Sequence, residues 1–119
     1  MRKIIIRIVD DALDEFEKLN KLTYEEQCKG ILNSENQQIL KSINNKIELI
    51  RINPMYGSKV SKQLIKESRI PTDNLFVVDL TGYWRMLYTL QGNEIEIICF
   101  VLKIVDHDDY NKIFRYKKK

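Results

Sequence analysis

The sequence predicts an α+β domain: an N-terminal strand, a helical hairpin, then an antiparallel three-strand meander forming a small sheet. Three observations carry this. Lys3-Ile4-Ile5-Ile6-Arg7-Ile8-Val9 is β-branched and partly alternating, which suits a pleated, half-buried strand. Two stretches after it space their apolar residues at the helical period. Beyond these come three strand-like runs separated by short turn signals. With 119 residues, one domain and one core fill the chain, residues 1–119.

The first helix follows directly on the strand. Asp10 or Asp11 is placed to cap it, and Asp14 and Glu15 suit the positive end of its dipole. Leu13, Phe16, Leu19 or Asn20, and Tyr24 make an approximate apolar stripe that runs, with a break near Thr23, to Gly30. Ser34 followed by Gln37 is a capping-box pattern that opens the second helix. Leu40, Ile43, Ile47 and Ile50 line one face of it, and Pro54 stops it by about Ile52. The segment Tyr56 to Asp73 reads as irregular, with Gly57 and Pro71 as breakers and a single turn around Gln63 to Lys66.

The strand runs are Leu75 to Leu80, Tyr83 to Leu90 and Glu94 to Val105, with Thr81-Gly82 and Gly92-Asn93 as turns. A two-residue turn at Gly92-Asn93 sets Leu90 opposite Ile95, Tyr88 opposite Ile97, Met86 opposite Cys99 and Trp84 opposite Val101. That face is apolar throughout and belongs under the helices. The other face carries Tyr83, Arg85, Leu87 and Thr89, so Arg85 is a mid-strand cation on the face the helices leave uncovered. A bulge would shift this register by one.

The net charge of +3 hides a polarised chain. Asp10 to Glu26 has a balance of −5, Lys41 to Arg69 one of +5, and Lys103 to Lys119 one of +3. Such a distribution suits an anionic partner at the basic end. Two cysteines, Cys28 and Cys99, are too few for a disulfide framework or zinc site and read as buried thiols in a reducing compartment. The single histidine, His107, excludes a multi-histidine metal site. No apolar run approaches the roughly 20 residues of a membrane-spanning helix. Arg7, Asp10 and Asp11 interrupt what would be a signal peptide, so a cytoplasmic location is expected. No cofactor motif is present.

What remains for chemistry is a set of cations, one histidine and several tyrosines. Arginine grips phosphate with a planar fork, histidine exchanges protons near neutrality, and tyrosine stacks on bases or donates to phosphate oxygens. Arg85, His107 and Tyr110, with Lys59, Lys62 and Lys66 in the preceding irregular stretch, are the parts needed to cleave RNA through its own 2′-hydroxyl. Each also has a structural use. Arg85 can pair with Glu96 across the sheet, His107 with Asp106 or Asp108, and Tyr110 can pack on the sheet. Trp84, Met86 and Tyr88 read as core.

Gly82-Tyr83-Trp84-Arg85-Met86-Leu87-Tyr88, then Asp106-His107 with Tyr110, and Asn53-Pro54 with Gly57 after the hairpin, resemble the RelE/ParE superfamily of type II toxins over nearly the whole chain. The resemblance implies a RelE/ParE-like fold and a metal-free endoribonuclease that cuts ribosome-bound mRNA and inhibits translation. It further implies an antitoxin partner that lays an acidic helix or extended segment over the cationic face or the hairpin. On the same footing, Arg85 matches the arginine at the scissile phosphate, His107 a residue acting on the leaving group or attacking hydroxyl, and Tyr110 the C-terminal tyrosine of the active site. Lys59 and Lys62 correspond loosely to basic residues before the second strand of the meander. Lys66, Arg115, Lys117 and Lys118 complete the expected RNA-binding set. Asp108 and Asp109 stand where relatives often carry basic residues. A ParE-like gyrase inhibitor and a catalytically silent RNA- or protein-binding domain are the competing readings.

Overall fold

The structure, a computed structural model, describes residues 2–114. In chain order its elements are β1 (Lys3–Ile8), α1 (Asp10–Cys28), α2 (Glu35–Ile52), β2 (Ser58–Lys59) and α3 (Lys62–Ser68). They are followed by β3 (Phe76–Asp79), a 3₁₀ turn (Thr81–Tyr83), β4 (Arg85–Gly92), β5 (Glu96–Val105) and α4 (His107–Phe114). The α+β class is as expected, but the sheet is not a three-strand antiparallel meander. It is a five-strand mixed sheet in the order β1-β5-β4-β3-β2, with β1 parallel to β5 and the other pairs antiparallel. The α1–α2 hairpin carries the chain from edge strand β1 across the sheet to edge strand β2. The antiparallel run from β2 to β5 then brings β5 back beside β1, the long connection that a parallel pair needs.

The helical hairpin covers one face. From α2, Ile39, Ile43, Ile47 and Ile50 are buried, and from α1, Ala12 and Leu19, against Phe76, Met86, Tyr88, Cys99 and Val101 of the sheet. The stripe on α1 is turned from the expected one: Ala12, Leu19 and Thr23 are buried, whereas Leu13 and Tyr24 are exposed. The helix is unbroken at Thr23, and its N-cap is Val9, with no side-chain cap. Asp11 instead pairs with Lys103 on β5, and that ammonium holds its carboxyl below the ordinary carboxylate range. Ser34 caps α2 by accepting from the Gln37 N–H at 3.1 Å. Glu26 fastens the hairpin turn, accepting from the Ser34 hydroxyl and the Asn36 side chain.

The opposite face is not open either. Ile65 of α3 and Phe114 of α4 bury against Leu75 and Leu87, with Leu64, Leu102, Tyr110 and Ile113 packed around them. The stretch read as irregular thus contains a seven-residue helix, capped by Ser61, whose side chain accepts from the Leu64 N–H. Its apolar Leu64 and Ile65 face inward, and its lysines point out to solvent.

Register differs from expectation by four residues at the turn: Leu90 pairs with Cys99, not Ile95. Asn93 is the cause. Its Oδ1 accepts from the N–H groups of Ile95 and Glu96, and its own N–H donates to the Glu96 carbonyl. This lengthens the loop and adds Gly92 to the strand opposite Ile97. A Cβ on Gly92 would stand 2.5 Å from the Glu96 carbonyl oxygen, so the close approach requires glycine. An even shift keeps each side chain on its face.

Tyr88 joins the layers. Its fully buried ring stacks on Phe76 at 5.2 Å. Its hydroxyl accepts from the Gly57 N–H and donates to the Pro54 carbonyl, both at 2.8 Å. Burial pushes this phenol up to about 12, so it remains a donor at all ordinary pH. Tyr88→Phe leaves both loop groups unpartnered and should lower unfolding free energy by about 1–3 kcal/mol, read from the urea midpoint at unchanged slope. An unchanged midpoint would show that the loop finds other partners.

Cys99 is buried, and desolvation pushes its thiol up to about 12, whereas Cys28 is exposed rather than buried as expected. Iodoacetamide at pH 8 should therefore label one thiol in the folded protein, Cys28, and the second only after denaturation. Labelling of Cys99 under native conditions would contradict its burial.

Candidate functional site

Asp79 and Arg85 are the last paired residues of β3 and β4 before the chain turns through Thr81–Tyr83. Antiparallel partners share a face, and the Arg85 Nε donates to Asp79 Oδ1 at 2.9 Å. Arg85 therefore pairs with Asp79 and not with Glu96, which lies at the far end of β5. Gly82 and Tyr83 both take left-handed backbone, with φ of 68° and 64°. The Thr81 N–H donates to Ser42 Oγ of α2, tying this turn to the hairpin.

On its other side Arg85 pairs with Val105, the last residue of β5. Asp106 then starts α4: its Oδ1 accepts from the Asp109 N–H and its carbonyl from the Tyr110 N–H, both at 2.9 Å. His107 falls in the first turn of α4, and Tyr110 and Asn111 in the second. The strand end and the cap together bring these side chains over Arg85. Asp108 and Asp109 occupy the first turn, where carboxylates favour the helix dipole. Their presence after His107 thus has a local structural cause.

The resulting cluster is tight. Arg85 Nη1 donates to His107 Nδ1 at 3.3 Å. Its guanidinium lies over the Tyr110 ring, 4.5 Å from the centroid, an attraction between cation and π-face. A neutral imidazole has one donor and one acceptor nitrogen. Because Nδ1 accepts from Arg85, the proton belongs on Nε2, which is 3.2 Å from the Asn111 side-chain nitrogen. A half-turn of that amide places its oxygen there as the acceptor. Tyr83 meets the His107 ring edge-on, with centroids 6.5 Å apart.

Of the guanidinium's five N–H donors, one on Nε and one on Nη1 are used. Nη2 has no hydrogen-bond partner among the described residues. The Arg85 side chain is 27% exposed, which leaves it open to an anion in a partly desolvated place. Beside it is a cavity of 560 Å³ lined by Asp79, Leu80, Gly82, Tyr83, Trp84 and Arg85. A larger groove of 660 Å³ on the same sheet face, lined by Arg69, Thr89, Lys103 and Ile113 among others, includes none of Arg85, His107 or Tyr110. Its Lys103 is neutralised by Asp11. Among the described residues no group of three or more His, Cys, Asp or Glu side chains is placed to hold a metal ion.

Of the residues singled out from sequence, Arg85, His107 and Tyr110 come together. Lys59 does not join them: it pairs with Phe76, whose other partner is Tyr88, and so belongs to the α1–α2 face. Lys62 and Lys66 are exposed on α3, on the same side of the sheet as α4. Arg115, Lys117 and Lys118 lie outside the described residues. Sequence reasoning missed Asp79, Tyr83 and Asn111. Pairing the strands around Thr81-Gly82 would have found Asp79. The Asp106…Asp109 cap would have found the helix that sets Asn111 one turn from His107.

Comparison with protein-family models, curated proteins and solved structures returned no match. No helix among the described residues is long and apolar enough to cross a membrane.

Proposed function

We propose that this chain is a RelE/ParE-like toxin of a type II toxin–antitoxin pair that cleaves ribosome-bound mRNA, with its activity restrained by an antitoxin. One observation carries the reading. His107 and Tyr110, 22 and 25 positions after Arg85 in the chain, meet its guanidinium at 3.3 Å (to Nδ1) and 4.5 Å (to the ring centroid).

The chemistry follows from the atoms. The RNA 2′-oxygen attacks the neighbouring phosphorus, the O2′–P bond forms, and the P–O5′ bond breaks. The products are a 2′,3′-cyclic phosphate and a 5′-hydroxyl. Arg85 Nη2 faces the charge that grows on the phosphorane oxygens. Neutral His107 acts as the base: Nδ1 releases the Arg85 Nη1–H and takes the proton that leaves the 2′-hydroxyl. The resulting imidazolium keeps Nε2–H on Asn111, and the departing 5′-oxygen takes its proton from water. Tyr110 supports the guanidinium plane and so positions it. Asp79 turns Arg85 by its Nε, away from the edge left for phosphate. A gyrase-binding role on the same scaffold would leave this convergence without a use. The silent-domain reading draws on Asp79, an anion already resting on Arg85.

Purified protein with ribosomes and a programmed mRNA tests this directly. Arg85→Ala and His107→Ala should each slow cleavage by at least about 100-fold, with cyclic-phosphate ends on the wild-type product. Lys59→Ala, on the other face, should cost less than about tenfold. Equal cleavage by wild type, Arg85→Ala and His107→Ala would remove the assignment, and no cleavage by any of them would favour the silent domain.

A further inference from the structure

Tyr83 is held in a conformation from which the fold draws no packing. Its φ of 64° is left-handed, disfavoured for any residue with a Cβ. The residue is 81% exposed, so burial does not offset the strain. Its hydroxyl has no hydrogen-bond partner among the described residues, and its one ring contact there is the edge-on approach to His107. Strain of this kind persists where a site uses it. The ring borders the 560 Å³ cavity that Arg85 also lines, leaving an aromatic face in solvent beside an arginine with donors to spare. A nucleotide whose phosphate rests on Arg85 carries its base one sugar away from that phosphate.

We propose that Tyr83 is a stacking platform for a nucleobase flanking the phosphate at Arg85, a substrate-binding residue for single-stranded RNA. The proposal rests on the ribonuclease reading and adds to it the group that holds the base. Stacking accepts every base, because each has a π-face. It uses the ring and not the hydroxyl, so phenylalanine serves equally. Tyr83 thus contributes hold without codon choice.

The test is the affinity of a fluorescent single-stranded RNA of about ten nucleotides, 2′-O-methylated throughout so that it cannot be cut, measured by anisotropy. A series of the same RNA carries one abasic position at a time. Wild type should lose roughly 10- to 100-fold when one base is removed. Tyr83→Ala should lose as much on the intact RNA and nothing further at that abasic position, the signature of a coupled pair. Tyr83→Phe should bind like wild type. Tyr83→Gly, which suits the left-handed backbone, should bind as weakly as Tyr83→Ala while melting no lower than wild type, which separates lost stacking from lost folding.

Tyr83→Ala binding intact RNA within twofold of wild type would overturn the proposal. So would equal abasic losses in the two proteins, or a wild type that does not bind the RNA. The ribonuclease reading fails by a different result: Tyr83-dependent binding without ribosome-dependent cleavage would remove the catalysis and leave the stacking role in place.

Discussion

The pairing of β4 with β5, and the one-residue bulge within it, is the constraint from which both layers and the site follow. Leu90 pairs with Cys99 and Tyr88 with Val101, but Leu87 pairs with Lys103, so Leu102 has no partner. An uninterrupted ladder would set Lys103 opposite Met86, a cation on the face buried under α1 and α2. The bulge lets Ile104, 3% exposed, take that place and turns Lys103 outward to Asp11. A shift of one residue reverses every side chain beyond it. It also sets Val105 opposite Arg85, so β5 ends where the guanidinium stands and α4 begins over it.

Polarity along the chain becomes polarity in space only in part. The acidic α1 and the basic residues of α2, Lys41, Lys46 and Arg51, lie on the same layer, with Arg51 paired to Glu48 of its own helix. Lys62 and Lys66, exposed cations of α3, lie across the sheet and next to α4. Arg85 belongs to that second layer, stacked on Tyr110, which in turn packs against Phe114 at 4.9 Å. Buried Leu87 and Phe114 make the floor of the site, and the charged groups sit at its rim.

The sequence carried the hairpin and the strands clearly, because Ile39 to Ile50 and Met86 to Leu90 repeat at periods that one buried face imposes. Ser34 with Gln37, and Pro54, marked the second helix by local chemistry alone. The mixed sheet was not legible: the pairing of Lys3–Ile8 with β5 depends on a crossover and leaves no local signature. Of α3 only the turn around Gln63 to Lys66 was legible, since seven residues are too short to show a period. The long turn was not, because it depends on Asn93 using one side-chain oxygen twice. Within the site, Arg85 could be named because strand alternation sets it as a cation in mid-strand, and His107 because it is the single histidine of the chain. Tyr110 could be named because the segment that ends in it resembles the family's C-terminal motif. Asp79 and Asn111 could not, since carboxylates and amides are common and their role lies in which partner the fold supplies. Lys59 was misplaced because parity in a two-residue edge strand is set by its neighbour, not by its own sequence.

Arg85 and His107 form a preorganised pair, with Nδ1 of the ring accepting from the guanidinium. His107 is the single histidine of the chain, so its ring nitrogens can be observed without assignment ambiguity. Long-range ¹H–¹⁵N correlation, at a pH where the imidazole is neutral, reports which nitrogen carries the proton. A single Nε2–H tautomer is expected in wild type, giving way to an averaged mixture in Arg85→Ala. An Nδ1–H tautomer, or the same averaged ring in both proteins, would contradict it.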